Sequence, residues 1–314
     1  MRQKIILDCD PGHDDAIAIL LAAGNPNIEL LAITTVAGNQ SLEKVSQNAL
    51  GVAAVAKLKN VPIAAGCARP LVREAEFAPS IHGESGLDGP ELPKAQQALH
   101  DKHAVELIIE VLRREPEKSV TLVPTGALTN IAMAARLAPD IVSRVKEVVL
   151  MGGGYHTGNW SAVAEFNIKI DPEAAHIAFN EKWPITMVGL DLTHQALATA
   201  EVVEQIKSVN NLASRFVVEL LDFFGQMYKK EQGFLAPPVH DPCAVAYVID
   251  KAVMATRKAP VNIELRGELT LGMTVTDLRV IDESLLANCH TQVATKLDTK
   301  RFWSLIEGAL RNLS

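Results

Sequence analysis

Short apolar runs alternate with longer amphipathic stretches through the first two thirds of the chain. The apolar runs Lys4–Cys9, Glu29–Val36, Val61–Ala65, Val120–Pro124, Glu147–Met151 and Ile185–Leu190 have the length and side-chain content of buried strands. Between them, Asp14–Ala23, stopped by Gly24, and Leu42–Lys57, Ala104–Arg114, Leu128–Leu137 and Pro172–Asn180 repeat apolar residues at helical spacing. The last third is less regular. It holds an amphipathic helix over Ala213–Tyr228, strand-like Val261–Leu265, Leu271–Val275 and Thr291–Ala294, and a closing helix from Thr299 to Leu313.

Apolar strands separated by amphipathic helices of ten or more residues imply a mostly parallel central sheet covered on both faces. The predicted class is α/β, a single Rossmann-like domain with a helical or irregular C-terminal part. Two stretches, residues 67–101 and 229–239, read as long loops. Loops of that length are usually functional or mobile, and both are candidate lids.

The densest chemistry lies just after the first strand. Asp8-Cys9-Asp10-Pro11-Gly12-His13-Asp14-Asp15 places four carboxylates in eight residues. At roughly 4 Å, two like charges repel by about 4 kcal/mol at an effective dielectric of 20, so a buried cluster either retains protons or binds a cation. Oxygen ligands favour calcium or magnesium over zinc. Asp14 or Asp15 alone reads equally well as a helix cap. Asp8 and Asp10 precede the helix, and the Pro-Gly turn gathers all four acids at the C-terminal end of a strand, where open α/β sheets bind ligands.

Composition narrows the classes. The 314 residues are 48% hydrophobic and 21% charged, with no repeat or low-complexity tract, so one soluble domain with a large core is expected. A net charge of −7 argues against nucleic acid or an acidic membrane as partner. No apolar run suits a signal peptide or a transmembrane span, and Cys9, Cys67, Cys243 and Cys289 lack metal-ligand spacing. Free thiols in a reducing cytosol are the expectation, with Cys9 and Cys243 as small buried filler.

His240-Asp241-Pro242 brings a second acid and a histidine to another strand-to-helix edge, and a site of Asp10, Asp15 and Asp241 completed by carbonyls and water suits the six to eight oxygens that calcium takes. Asn159, Glu165 and Asn167 lie between Gly152-Gly153-Gly154 and the helix start at Asp171-Pro172. Singly they read as solvated loop residues; together they can hydrogen-bond hydroxyls, as sugar recognition requires. The glycine run matches neither a P-loop nor GxGxxG. The octet, Ala37–Ser41, the His82 loop, Asn159–Asn167 and the His240 motif contain no Lys or Arg, which disfavours a phosphorylated substrate and suits a neutral polyhydroxylated one.

The octet, Val36-Ala37-Gly38-Asn39-Gln40, Val123-Pro124-Thr125-Gly126, Asn159, Glu165-Phe166-Asn167 and Val239-His240-Asp241-Pro242 together resemble the calcium-dependent nucleoside N-ribohydrolases. The inosine–uridine-preferring, nonspecific branch is the nearer, and Met151–His156 and Gly189–Ala196 are similar to it as well. The resemblance implies calcium held by Asp10, Asp15, Asp241 and the Thr125 carbonyl, with Asp10 deprotonating the attacking water and Asn39 orienting it. It places ribose against Asp14, Asn159, Glu165, Asn167 and Met151, leaves Asp8 structural, and makes His240 the candidate acid for the departing base. His82 and Tyr228 would stand on the mobile walls of the base pocket, although His82 also reads as a loop pin and Tyr228 as an exposed helix end. A homo-oligomer, tetramer or dimer, a cytoplasmic location and a role in nucleoside salvage follow from the resemblance alone.

Purine-specific relatives stack the base between tryptophans, one of them in the loop that here reads His82-Gly83-Glu84. The tryptophans of this chain are Trp160, Trp183 and Trp303, so a broad range including inosine and uridine is implied; Trp160, beside Asn159, is expected to pack, with a place at the border of the pocket as the alternative. Two other readings remain at this point. A haloacid dehalogenase-type phosphatase also opens with a strand and DxD, and a calcium-dependent nucleoside-binding protein without catalysis would share most of the motifs.

Overall fold

Every residue of Ile5-Ile6-Leu7 is fully buried, because the strand carrying them lies at the centre of a sheet with helices on both faces. Burying each such side chain contributes roughly 1.5–3 kcal/mol. The computed structural model describes residues 2–279, 286 and 289–313. Its strands in chain order are β1 (Gln3–Cys9), β2 (Ile28–Thr35), β3 (Ile63–Ala65), β4 (Val120–Pro124), β5 (Val145–Met151), β6 (Ile185–Val188), β7 (Met254–Lys258), β8 (Val261–Ile263), β9 (Thr274–Thr276) and β10 (Thr291–Leu297). An eight-stranded sheet runs β3-β2-β1-β4-β5-β6-β10-β7, and β8 pairs with β9 in a separate antiparallel ribbon. All neighbours in the large sheet are parallel except β7, which runs against β10 at the edge.

Side chains alternate across this sheet as the pleat demands. From β1, Ile5, Leu7 and Cys9 enter one core and Ile6 the other; from β5, Val149 and Met151 enter the first and Val148 and Leu150 the second. The first core is closed by helices α1 (His13–Gly24) and α2 (Leu42–Val55), later helices including the one over Pro242–Ile249, and the C-terminal helix Thr299–Asn312; the second is closed by α4 (Ala104–Arg114), α5 (Thr129–Leu137) and α7 (Pro172–Asn180). The predicted α/β class and parallel sheet are therefore observed.

Between these lie α3 (Pro79–His82), α6 (Phe166–Ile170), α8 (Leu190–Thr193), α9 (Ala200–Ser208), α10 (Leu212–Gln232) and α11 (Pro242–Ile249). Several boundaries differ from expectation. Helix α10 continues past Tyr228, since Lys229 and Lys230 suit the negative dipole end and Gly233, at φ 75°, supplies the left-handed stop. The second long loop thus begins at Gly233, and the first contains α3. Strand β7, helix α9 and the short α6 and α8 escaped the sequence pattern. The exposed, charged β7 (Met254-Ala255-Thr256-Arg257-Lys258) is extended because β10 pairs with it, and tertiary context overrides propensity there.

Candidate active site

The chain builds β1, β2 and β3 toward one side, then returns to place β4 on the other side of β1. At such a switch point the loops leaving neighbouring strands diverge and open a crevice beyond their C-terminal ends. The acidic octet leaves β1 at this place, and Thr125 follows β4. Their junction is tied directly: the Thr125 amide donates to the Asp8 carbonyl (2.7 Å), and the Thr125 hydroxyl donates to Asp15 Oδ1 (2.8 Å).

Asp8, Asp10, Asp14, Asp15 and Asp241 are all buried. Asp14, Asp15 and Asp241 each offer a carboxylate oxygen, and the three oxygens lie within 4.8 Å of one another. Asp10 stands beside them, its Oδ2 accepting from the Asn39 amide (2.7 Å) while Asn39 Nδ2 spans the Asp10 carbonyl (3.0 Å) and Asp15 Oδ2 (3.1 Å). Gly38 and Gly126 permit this packing, since a Cβ on either would collide with the Asp10 carboxylate. Asp8 is held apart by the Thr34 hydroxyl (2.6 Å) and Asn130 Nδ2 (2.8 Å), in keeping with a structural role.

Among the described residues no ion pair involves any of these acids. Burial, and then the charge of neighbouring acids, pushes Asp10 and Asp241 well above the usual carboxylate range; burial does the same to Asp14, up to about 7, and raises Asp15. Asp10 Oδ1 is buried without a hydrogen-bond partner. A set of oxygen donors that repel one another, one with an orphaned lone pair, fits a hard divalent cation. The tightest group contains Asp14, expected at the sugar, while Asp10, expected as a ligand, sits alongside. Thr125's carbonyl, another expected ligand, accepts from Asn167 Nδ2 at 2.8 Å and keeps its second lone pair.

Above the acids opens a cavity of about 290 Å³. Asp14, Asn39, His82, Thr125, Met151, Asn159, Glu165, Asn167, Tyr228, His240 and Asp241 all line it, so predicted site residues from well-separated stretches of the chain converge; Asp10 and Asp15 are fully buried outside this lining. Glu165 caps α6, its carboxylate accepting from the amides of Gly153 (2.9 Å), Asn167 (2.9 Å) and Ile168 (3.2 Å). Asn159 Oδ1 accepts from the Phe166 amide (2.9 Å), which leaves its NH2 for a ligand. The lining contains no Lys or Arg.

Burial pushes Glu165 up to about 7 despite its three amide donors. Its pKa in the fold thus exceeds the unfolded value of about 4.5, so the folded state holds the extra proton between those values and stability declines as pH rises through the window. At 1.36 kcal/mol per pH unit the full penalty, present above pH 7, is about 3 kcal/mol. Melting of cation-free protein at pH 5 and pH 8 checks this: wild type is expected to lose stability toward pH 8, and Glu165→Gln to show a shallower loss. Equal slopes would refute the assignment.

The histidine side of the cavity is a network of rings. His240 Nδ1 lies 2.7 Å from the Thr193 hydroxyl and Nε2 2.8 Å from the Tyr228 hydroxyl, while its amide donates to Asp14 Oδ2 (3.3 Å). Burial holds His240 and His82 well below the ordinary histidine range. His82 Nδ1 lies 3.2 Å from His13 Nδ1, and His13 stacks on Phe223 and Phe224. Tyr228 is buried, so its reading as an exposed helix end is set aside.

Sequence reasoning missed Thr193, His13 as a support for His82, and the lining residues Ser80, Ile81, Phe166, Glu231 and Gln232. Nothing in local spacing marks them; only long-range packing brings them in. Trp160 both packs, edge-on against Phe166 with its indole N–H on Glu76 (2.8 Å), and lines the cavity.

The family model described as "Inosine-uridine preferring nucleoside hydrolase" matches residues 5–304. The chain is 59% identical over 314 residues to the inosine-uridine preferring nucleoside hydrolase of Crithidia fasciculata and 60% identical over 314 to that of Leishmania major, covering 100% of this chain and 99% of each relative. Among solved structures, the purine-preferring ribonucleoside hydrolase from Gardnerella vaginalis superposes with a TM-score of 0.91 at 33% identity, covering 99% of this chain and 98% of that one. With the family model matched over residues 5–304 and two relatives about three-fifths identical along the full chain, this protein belongs to the inosine-uridine preferring nucleoside hydrolase family.

Proposed function

We propose that this enzyme hydrolyses the N-glycosidic bond of purine and pyrimidine ribonucleosides, inosine and uridine among them, to free base and ribose for nucleoside salvage. The observation that carries the reading is the buried acid cluster of Asp10, Asp14, Asp15 and Asp241 beneath a cavity whose lining has hydroxyl-binding groups and no cation. Full-length similarity to ribonucleoside hydrolases supports it against the phosphatase reading, and intact Asp10 against a binding protein without catalysis.

Calcium is the ion proposed for the cluster, held by the carboxylates of Asp10, Asp15 and Asp241 and the carbonyl of Thr125. When bound it neutralises the acids and makes nearby water more acidic. Asp10 then takes the proton of the attacking water on Oδ1, the atom left without a partner, and Asn39 orients that water. Asp14, Asn159, Glu165 and Asn167 grip the ribose hydroxyls over Met151. As the bond breaks, positive charge grows on the sugar, and the surrounding carboxylates stabilise it. Attack opposite the base inverts the anomeric carbon.

His240 and Tyr228 act as one donor unit toward the departing base: the neutral imidazole, pinned by Thr193, presents Nε2 to the tyrosine hydroxyl. His82 completes that wall. The loops 67–101 and 233–239 serve as lids, since α3 carries Ile81 and His82 to the cavity and Phe234 packs against Tyr228. Four free cysteines are in keeping with a cytosolic site of action, and no helix among the described residues is long and apolar enough to cross a membrane. The enzyme is proposed to work as a homo-oligomer, which sedimentation equilibrium would establish.

Release of base and reducing sugar from inosine, uridine, adenosine and cytidine in phosphate-free buffer with calcium tests the function. Hydrolysis of inosine and uridine, with inosine 5′-phosphate untouched for want of a cation in the lining, is the expected outcome. Inactivity on every nucleoside would sink the proposal.

A further inference from the structure

Ring contacts around the cavity separate into two sets. One runs continuously from His13 through His82, Phe224 and Tyr228 to His240. Separate from it, Trp160 meets Phe166 edge-on with centroids 4.9 Å apart, and among the described residues it has no ring contact with the first set. Trp160 is 36% exposed, whereas Trp183 and Trp303 are buried. Its orientation is held from behind, since Nε1 donates to Glu76 Oε2 at 2.8 Å, and Glu76 belongs to the first long loop. No hydroxyl or acid motif accounts for an indole at this place.

The ribohydrolase reading, on which this inference rests, leaves Trp160 a single partner. The vicinal diol of ribose belongs at the acid cluster, and the base at the histidine and tyrosine wall. What remains is the hydroxymethyl group on C4′, which is then directed at the wall of Asn159, Trp160, Glu165 and Phe166. We propose that Trp160, oriented by Glu76, packs against this hydroxymethyl end and sets the affinity for substrate. An apolar face covering a CH2 group far from the breaking bond contributes equally to ground and transition states, so its loss appears in KM and leaves kcat.

The test compares inosine with the analogue that lacks the C5′ group, erythrofuranosyl hypoxanthine, in wild type, Trp160→Ala, Trp160→Phe, Glu76→Gln and Glu76→Ala. Trp160→Ala is expected to raise KM for inosine about tenfold, the order expected for losing a small apolar contact, with kcat within about twofold. On the analogue its loss in kcat/KM should shrink to less than about twofold. Glu76→Gln keeps an acceptor for the indole and should resemble wild type, whereas Glu76→Ala should reproduce part of the KM effect. Should the alanine variant fail to fold by circular dichroism, Trp160→Phe carries the same comparison, with a smaller KM rise confined to inosine. An equal loss on both substrates, or none on either, would overturn the assignment while leaving the hydrolase reading intact. Wild type inactive on inosine and on every other nucleoside would overturn both.

Discussion

Asp10→Ala is expected to lower the rate of inosine hydrolysis by about 10²–10⁴-fold, the range removed when a positioned general base is lost, while ribose binding stays measurable by calorimetry. The geometry accounts for both halves of this expectation. Asp10 Oδ2 accepts from the Asn39 amide whereas Oδ1 has no hydrogen-bond partner, so Oδ1 is the freer of the two oxygens to receive a proton. The lining groups expected to grip the sugar, Asn159, Glu165 and Asn167, are positioned by the turn after β5 and by α6, and none of their hydrogen bonds passes through Asp10. Asp10→Asn keeps the side-chain shape but lacks the basic oxygen and should be comparably slow. Full residual activity in either variant would refute the base assignment.

Treatment with a strong chelator is expected to abolish hydrolysis and lower the melting temperature, and added calcium to restore both. Each pair of like charges at about 4 Å costs about 4 kcal/mol at an effective dielectric of 20, and among the described residues no Lys or Arg is paired with the cluster. A cation at a hundred times its dissociation constant stabilises the fold by about 2.7 kcal/mol, which for a domain of this size moves melting by about 5 °C. Asp241→Asn separates charge neutralisation from simple loss of structure. Without calcium it should melt above wild type, because the cost of burying this acid, which the fold holds protonated against its ordinary range, is gone; with calcium it should melt below, because a ligand is gone. A chelated enzyme with unchanged rate and melting temperature would exclude a functional cation, and a variant less stable under both conditions would show Asp241 to be merely structural.

The strand and helix alternation was legible because the two periods differ: side chains of β1 divide between two cores at every second residue, and covering helices such as α4 bury one face, while α1 is buried nearly all round. The acid motif was legible for a harsher reason. Burying Asp8, Asp10, Asp14 and Asp15 together is so unfavourable that such spacing has few uses besides binding charge. Sequence by itself thus determined the fold class, the strand edge that carries the chemistry and most of the residues that meet there.

The tertiary structure alone decided how those residues divide the work. Local sequence could not show that Thr193 and Tyr228 clamp His240, that Asn39 bridges Asp10 and Asp15, or that carboxylate oxygens of Asp14, Asp15 and Asp241 come within 4.8 Å of one another. Nor could it place Trp160 on the cavity wall, since the group that turns the indole, Glu76, lies 84 residues earlier in the chain. Contacts between residues so far apart in the chain carry no periodicity, and the partner of a buried polar atom is chosen by whichever chain segments the sheet order brings together at its switch point.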